Sequence, residues 1–359
     1  MNPTECIRTR AVELGFDLVG IAPAGPARHA DAFFEWIKRG YHGKMEWLAK
    51  APQRRTDPRQ VLPGARSVVS VGYSYYVADP PAELWDDPSR GRIARYAWGP
   101  DYHDQLTPKL KTLSTFIKEE TGGQAKYYVD TGPVLERAAA AEAGLGFIGK
   151  NSLLIHPAFG SYLFLAVLLV DVELDYDVPA QQEGAAIIRN IAKGETGEGT
   201  CGTCRRCLEI CPTHAFPAPY VLDSNQCISY LTIELKGSIP ESLRPKMKNW
   251  IYGCDECQTI CPWVKRYSQQ SGSQFLRFDP TWCIPRLKEL MALDEDGFRA
   301  RFRGTPVKRA KRRGLLRNVA VALGNWGDSS AKRVLENALH DPEPLIREHA
   351  KWALDRLSG

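Results

Sequence analysis

Residues 201–212 read CGTCRRCLEICP, a run of four cysteines separated by two, two and three residues, with a proline after the last. Bacterial two-cluster ferredoxins have this spacing, in which three close thiolates hold one cluster and the fourth cysteine reaches the other. The run therefore predicts a ferredoxin-like domain with two [4Fe–4S] clusters. Zinc is the alternative, because paired CxxC motifs also bind it, but zinc sites rarely carry this longer run.

A second cysteine group, YGCDECQTICPW, occupies residues 252–263. Ile251 stands where a complete ferredoxin half would have its first cysteine, so the distant Cys227 is the natural replacement. Because the last cysteine of each half crosses to the other cluster, the ligand sets follow. We predict Cys201, Cys204, Cys207 and Cys261 for cluster one, and Cys211, Cys227, Cys254 and Cys257 for cluster two, with Cys6 and Cys283 left as structural or idle residues.

The composition is that of a soluble globular protein. The chain has 359 residues, of which 43% are hydrophobic and 25% charged, enough for two or three domains. The N-terminus lacks the apolar segment of a secretory signal, and the longest apolar run, residues 162–170, is too short to span a bilayer. We therefore expect a cytoplasmic monomer without a membrane partner, and in that compartment clustered cysteines favour metal binding.

Three zones divide the chain. Residues 1–185 alternate predicted strands (66–76, 125–129, 163–172) with predicted helices (108–120, 134–143), which indicates an α/β or α+β domain. A Gly/Glu-rich linker at 194–199 leads into the cysteine zone, 186–283. The last zone, 284–359, has predicted helices at 315–323, 331–339 and 345–357, a pattern that resembles a HEAT-like repeat. An ordinary helical C-terminal cap is the alternative.

A basic segment lies at residues 299–317, where nine lysines and arginines occur without an acidic residue. Such a block predicts a polyanionic partner, with nucleic acid the first candidate. The alternative is a solvated basic face that binds nothing.

Asp130 is the candidate catalytic residue of the first zone. It ends the predicted strand 125–129 and precedes Thr131-Gly132-Pro133, where a helix is expected to begin. A carboxylate at the carboxyl end of a strand can act as a general acid. On the residues alone, an aspartate that caps the following helix is an equally good interpretation.

Taken together, five stretches resemble the epoxyqueuosine reductase family over essentially the whole chain. They are VDTGPVLERAAAAEAGLGFIGKNS from Val129, CGTCRRCLEICPTHAF from Cys201, CISYL from Cys227, YGCDECQTICPW from Tyr252 and KRAKRRGLLRN from Lys308. The family reduces epoxyqueuosine to queuosine at the wobble position of tRNA, the last step of queuosine biosynthesis. The resemblance implies that two [4Fe–4S] clusters relay electrons, from an unknown external donor, to cobalamin.

The resemblance also implies roles for single residues. Asp130 matches the family's proton donor. Asp101-Tyr102-His103 resembles the start of the cobalamin-ligating motif Asp-x-His-x-x-Gly, but Leu106 replaces the glycine. The absence of this motif fits the base-off cobalamin that the resemblance implies. The first zone becomes a cobalamin-binding, reductive-dehalogenase-like domain, and the tail a tRNA-binding one. The implied cobalamin contacts are Arg55, Ala94, Asp130, Asn151, Leu154, Leu165, Ser229 and Asp255, and the implied tRNA contacts are Lys308, Arg309, Lys311, Arg312, Arg313 and Arg317.

Two alternatives remain, a related enzyme and a protein of another functional class. A corrinoid iron–sulfur reductive dehalogenase predicts an export signal and no basic helical tail, the opposite of this sequence. A non-catalytic, ferredoxin-type electron carrier predicts that the first 185 residues bind no cofactor.

Overall fold

The computed structural model describes residues 2–177, 201–268 and 276–358. Its strands are β1 (Leu18–Pro23), β2 (Ser67–Ser74), β3 (Arg92–Ile93), β4 (Ala125–Val129), β5 (Phe147–Ile148), β6 (Leu154–Ile155), β7 (Leu163–Val170) and β8 (Trp250–Tyr252). Its α-helices are α1 (Pro3–Glu13), α2 (Ala30–Lys38), α3 (Glu46–Ala49), α4 (Pro52–Thr56), α5 (Ala82–Trp85), α6 (Tyr102–Thr121), α7 (Glu136–Glu142), α8 (Arg206–Glu209), α9 (Ile228–Ile233), α10 (Glu256–Thr259), α11 (Pro262–Tyr267), α12 (Pro280–Cys283), α13 (Leu287–Met291), α14 (Glu295–Phe302), α15 (Lys311–Trp326), α16 (Lys332–Ala338) and α17 (Pro344–Ser358).

The main sheet has the strand order β1-β2-β7-β4, and its three pairings are all antiparallel. The predicted strands at 66–76, 125–129 and 163–172 are confirmed as β2, β4 and β7. The expected mixture of helices and strands is also confirmed. The α/β alternative is wrong for this sheet, because α/β crossovers require parallel neighbours. The first zone is therefore α+β.

Helices cover both faces of this sheet. Side chains alternate along β2, so Val69 and Val71 share a core with α1 and α6, whereas Val68 packs with Val134 on the side of α7. The predicted helices at 108–120 and 134–143 are confirmed as α6 and α7. Helix α6 begins six residues earlier than predicted, after the N-cap Asp101, and this extension brings Tyr102 to Asp130 at the end of β4.

A small parallel pair joins the first zone to the cysteine zone. Strand β3 pairs with β8, with Arg92 opposite Trp250 and Ile93 opposite Tyr252. Cys254 follows β8 closely, so this pairing positions one of the predicted ligands. The linker at 194–199 and the predicted boundary at 185/186 lie outside the described residues.

The tail consists of helices that pack on each other and on the cysteine zone. The predicted helices at 315–323, 331–339 and 345–357 are confirmed as α15, α16 and α17. Helices α15 and α17 approach closely at Gly324, where an added Cβ would lie 2.8 Å from the Trp352 ring and 2.9 Å from the Ala353 Cα. Within the described ranges, no helix is both long and apolar enough to cross a membrane.

Candidate functional site

The first predicted cysteine set surrounds one cavity. Cys201, Cys204, Cys207 and Cys261 all line it. The Lys150 ammonium holds the residues just before α8 in place. It donates to the Gly202 carbonyl at 2.6 Å and to the Cys204 carbonyl at 3.0 Å. The chain therefore presents four thiols around a shared space, which fits a cluster-binding role.

The second predicted set also comes together. Burial raises the pKa of the Cys254 and Cys257 thiols, and Cys227 adds to both shifts. Cys211 and Cys207 add to the shift of Cys257, so the two sets are neighbours. Among the described residues, no three His, Cys, Asp or Glu side chains converge on a single metal ion. The cavity that the first set surrounds fits the predicted role of these residues as ferredoxin-like ligands.

A cavity of about 930 Å³ has Cys227 of the second cysteine set in its wall. It is lined by Arg55, Asp130, Cys227, Ser229 and Lys308, among others. A smaller cavity of about 230 Å³, which Leu154 and Leu165 line, also has Asp130 in its wall. Asp130 thus borders both spaces, and five of the eight predicted cobalamin contacts lie on one or the other.

Asp130 does not cap a helix. Its backbone is left-handed, with φ of 58°, and the residue before α7 is Leu135. The N-cap interpretation is therefore wrong. The carboxylate instead accepts a hydrogen bond from the Tyr102 hydroxyl, with 2.6 Å between Oδ2 and the phenolic oxygen. Asp130 is exposed toward the cavity, where it can reach a bound molecule.

Arg55 supplies an unused donor beside Asp130. Its Nη1 donates to the Gly132 carbonyl and its Nη2 to the Trp47 carbonyl, both at 3.1 Å. Its Nε is buried and has no hydrogen-bond partner among the described residues. Buried polar atoms normally have partners, so this one indicates a ligand position. The large cavity, the free Nε and the apolar Leu154 and Leu165 together fit a large polar-edged macrocycle such as cobalamin.

The other three predicted cobalamin contacts line neither cavity. Asp255 is buried and accepts a hydrogen bond from the Arg95 backbone N–H at 2.8 Å. Asn151 lines the cavity of the first cysteine set, where its amide donates to the Cys257 carbonyl at 3.3 Å. Ala94 is buried beside Gly253. Their contact with cobalamin stays a prediction.

The sequence interpretation missed the start of α6. Asp101 Oδ1 lies 2.8 Å from His103 Nδ1, and its Oδ2 lies 3.0 Å from Lys308 Nζ. The hydrogen bond from His103, with Lys308 adding, holds the pKa of the Asp101 carboxyl well below its usual value. The sequence pattern of residues 101–103 indicates only an incomplete cobalamin motif. The signal that could have identified them is the run of three ionisable side chains at the start of a helix.

Glu136, the first residue of α7, was also missed. It lines the smaller cavity with Asp130, and its Oε1 is buried without a hydrogen-bond partner among the described residues. Burial, with the charge of Asp130 adding, raises the pKa of Glu136 to about 7. The site therefore holds the carboxyl group of Glu136 as well as that of Asp130, and the Glu136 carboxyl is partly protonated at neutral pH.

The basic segment divides into exposed and internal residues. Lys308, Arg309, Lys311 and Arg313 are exposed. Arg312 forms an ion pair with Asp341 and donates to the Leu293 carbonyl.

Arg317 is fully buried, and its guanidinium donates to the carbonyls of Leu231, Leu235 and Gly237. A side chain so enclosed does not reach a nucleic acid on the surface. We therefore correct the prediction for Arg317, which ties α15 to the cysteine zone instead.

Comparisons with known proteins place this site in a family. Residues 55–131 match the model described as epoxyqueuosine reductase QueG, DUF1730, and residues 200–264 match a 4Fe-4S double cluster binding domain. The chain is 40% identical to the epoxyqueuosine reductase of Xanthomonas campestris pv. campestris, over 98% of this chain and 96% of the relative. It is 40% identical to that of Escherichia coli K12, over 97% of this chain and 88% of the relative.

Solved structures agree with these similarities. A crystal structure of epoxyqueuosine reductase with an epoxyqueuosine-modified tRNA-Tyr stem loop has a TM-score of 0.86 and 32% identity, over 99% of this chain and 90% of that one. The Bacillus subtilis enzyme, solved with an aspartate catalytic loop swung out of the active site, has a TM-score of 0.84 and 32% identity, over 98% and 90% of the two chains. These similarities favour neither alternative function. The chain belongs to the epoxyqueuosine reductase family, and it is an oxidoreductase with a domain that binds two iron–sulfur clusters.

Proposed function

We propose that this chain reduces epoxyqueuosine to queuosine at the wobble position of tRNA, with cobalamin and two [4Fe–4S] clusters as its cofactors. Residues 1–185 would hold cobalamin, residues 186–283 the clusters, and residues 284–359 would contact tRNA. One observation carries the proposal. A single cavity joins Asp130, Arg55, the cysteine Cys227 and the basic residue Lys308.

The cysteine sets are suited to holding the clusters, and the two cavities to holding cobalamin. Cys201, Cys204, Cys207 and Cys261 would bind the first cluster, and Cys211, Cys227, Cys254 and Cys257 the second. Arg55 would donate its free Nε to cobalamin, and Ser229 would contact it from the side of Cys227. When bound, these groups would relay to the site the two electrons that the reduction consumes, and an external reductant would supply those electrons.

Asp130 would supply a proton in the same reaction. Conversion of an epoxide to an alkene consumes two electrons and two protons and releases water. Both C–O bonds break, and the oxygen leaves with the two protons. Asp130 would donate one of them to that oxygen, since its carboxyl group is exposed to the cavity at the point where both spaces meet.

The exposed basic residues would hold the RNA. Lys308 and Arg309 line the large cavity, and Lys311 and Arg313 are exposed farther along the basic segment. Phosphate contacts from such residues orient a nucleic acid without reading its sequence. The solved relative with a modified tRNA stem loop supports this assignment. We also propose that residues 130–135 form the catalytic loop, by analogy with the loop described in the Bacillus subtilis enzyme.

The test is mass spectrometry of tRNA nucleosides. Epoxyqueuosine-containing tRNA is incubated anaerobically with the protein, cobalamin and a chemical reductant. We expect queuosine to appear and epoxyqueuosine to disappear, and omission of cobalamin to prevent both. If epoxyqueuosine persists under conditions in which a known relative converts it, the proposal is wrong.

Asp130→Asn is the matched variant for the acid role. Asparagine tolerates a left-handed backbone as aspartate does, so the loop should keep its shape while the proton is lost. We expect turnover to fall by about 10²- to 10⁴-fold, the range of a general acid, with cobalamin still bound. Full turnover by this variant would remove Asp130 from the mechanism.

A further inference from the structure

Tyr102 is a closely packed side chain in the wall of the cavity. It is 8% exposed, and its ring stacks on Phe164 at 4.4 Å and on His103 at 4.2 Å between centroids. The helix start beneath it is held as well, because Asp101 caps α6 and pairs with Lys308. The phenol therefore has little freedom to turn away from Asp130.

The Tyr102 hydroxyl meets Asp130 at hydrogen-bond distance. The two oxygens are 2.6 Å apart, the distance usual for a charge-assisted hydrogen bond from O–H to a carboxylate oxygen. Burial, and then the neighbouring Asp130 carboxylate, raise the pKa of the Tyr102 hydroxyl far above neutrality. The phenol therefore stays protonated and acts as the donor.

Asp130 needs such a partner. It is exposed, and its left-handed φ of 58° is a conformation that residues other than glycine adopt at some cost. It also precedes a stretch without regular structure, because α7 begins only at Glu136. A hydrogen bond from a fixed ring is thus well placed to hold the carboxyl group toward the cavity.

We infer that Tyr102 is a positioning residue, which holds Asp130 in its working position and stabilises the carboxylate that remains after proton donation. This inference rests on the proposed function of Asp130. It assigns Tyr102 no contact with the substrate and no proton of its own to give. Its effect on turnover should pass through Asp130.

The test uses Tyr102→Phe, which removes the hydroxyl and keeps the ring. We expect kcat to fall by roughly 10- to 100-fold, the effect of a misplaced catalytic group, while KM for a tRNA stem loop changes less than about twofold. Hydrogen exchange of the backbone amides of residues 130–135 should become faster. The matched control is Tyr127→Phe, which removes a tyrosine hydroxyl from β4 on the same side of the strand as Val129, and which should change none of these quantities.

A double-mutant cycle separates positioning from a purely structural role. In the Asp130→Asn background, Tyr102→Phe should cost less than about twofold in rate, because its partner is already inactive. An equal loss in both backgrounds would overturn the inference, as would wild-type turnover together with wild-type exchange in Tyr102→Phe. If the wild-type protein fails to reduce epoxyqueuosine, the proposed function fails, and the exchange experiment still decides whether Tyr102 holds the loop.

Discussion

Glu136 shows how burial changes one side chain next to the catalytic candidate. Its carboxyl group is neutral or charged depending on pH near 7, because burial raises its pKa from 4.5 to about 7. In the unfolded chain the Glu136 carboxyl is solvated, so its pKa stays at the usual value of 4.5. As pH rises from about 4.5 to 7, the unfolded carboxyl ionises while the folded one stays protonated, so stability falls across this window.

We therefore expect Glu136→Gln to stabilise the protein at pH 8 and to have little effect near pH 5. One pKa unit corresponds to about 1.4 kcal/mol, so the gain at pH 8 is at most about 3 kcal/mol. Thermal unfolding of wild type and variant at several pH values measures it. Glu142→Gln, at the other end of α7, is the control and should show no comparable gain. A difference that does not change with pH would contradict the assignment.

Single residues were predictable where the chemistry demands a residue type at a spacing. The cysteine spacing predicted eight ligands, with the distant Cys227 in place of a missing cysteine, and the structure brings the members of each predicted set together. Asp130 was ambiguous, because a strand end followed by a helix start is also where a capping aspartate occurs. Tyr102 was not predictable, since its role depends on a contact between residues that are far apart in sequence and meet only through packing.

At the scale of elements, α15 combines two opposite uses of basic side chains. Lys311 and Arg313 are exposed at its start, whereas Arg317 is fully buried. A run of charges cannot show which of its members faces the core. The buried guanidinium is tolerated because three backbone carbonyls accept its hydrogen bonds.

Two variants of α15 should therefore behave differently. We expect the Lys311→Ala/Arg313→Ala double variant to weaken stem-loop binding and to reduce the slope of log affinity against log salt by roughly 1 to 2, with little change in stability. Lys332→Ala/Arg333→Ala removes the same charge from exposed positions of α16 and should keep the slope. Arg317→Ala should instead destabilise the fold by about 3–5 kcal/mol, because it strands buried carbonyls. Equal slopes for both double variants would contradict the role of the basic segment.

Periodicity located the helices and strands well, but it did not predict the direction in which neighbouring strands pair. The predicted stretches at 125–129 and 163–172 correspond to β4 and β7. A buried strand has the same apolar residues whether its neighbour runs parallel or antiparallel, so the α+β topology could not be separated from α/β. The early start of α6 was hidden by Pro108, which reads as a first-turn residue but lies inside the helix.

At the scale of the whole molecule, the three zones share one apolar core. It extends from Ile7 in α1 through Ile251 in β8 to Ala353 in α17. A continuous core predicts that the tail and the cluster-binding zone unfold together. Substitution of a glycine in α15 can test whether the two zones unfold together.

Gly324→Ala should lower the thermal midpoint of helix ellipticity and of cluster absorbance by the same amount. The added methyl group meets the Trp352 ring at 2.8 Å and the Ala353 backbone at 2.9 Å, and such overpacking costs about 1–3 kcal/mol. Gly314→Ala is the control in the same helix, because its Cβ meets only Ala310 at 3.7 Å. It should leave both midpoints unchanged or slightly higher. If Gly324→Ala lowers only the midpoint of the ellipticity, the tail and the cluster-binding zone unfold independently.

The buried Arg317 also limits how this architecture can evolve. Its guanidinium joins the tail to the chain that follows Cys227, and Asn318 beside it donates to the Thr232 and Ile251 carbonyls. A descendant that exchanged its tail for an unrelated module would leave five backbone acceptors without donors, close to the predicted ligands of one cluster. Replacement of the tail should therefore require compensating changes in residues 228–252, so the two segments are expected to be inherited as a unit.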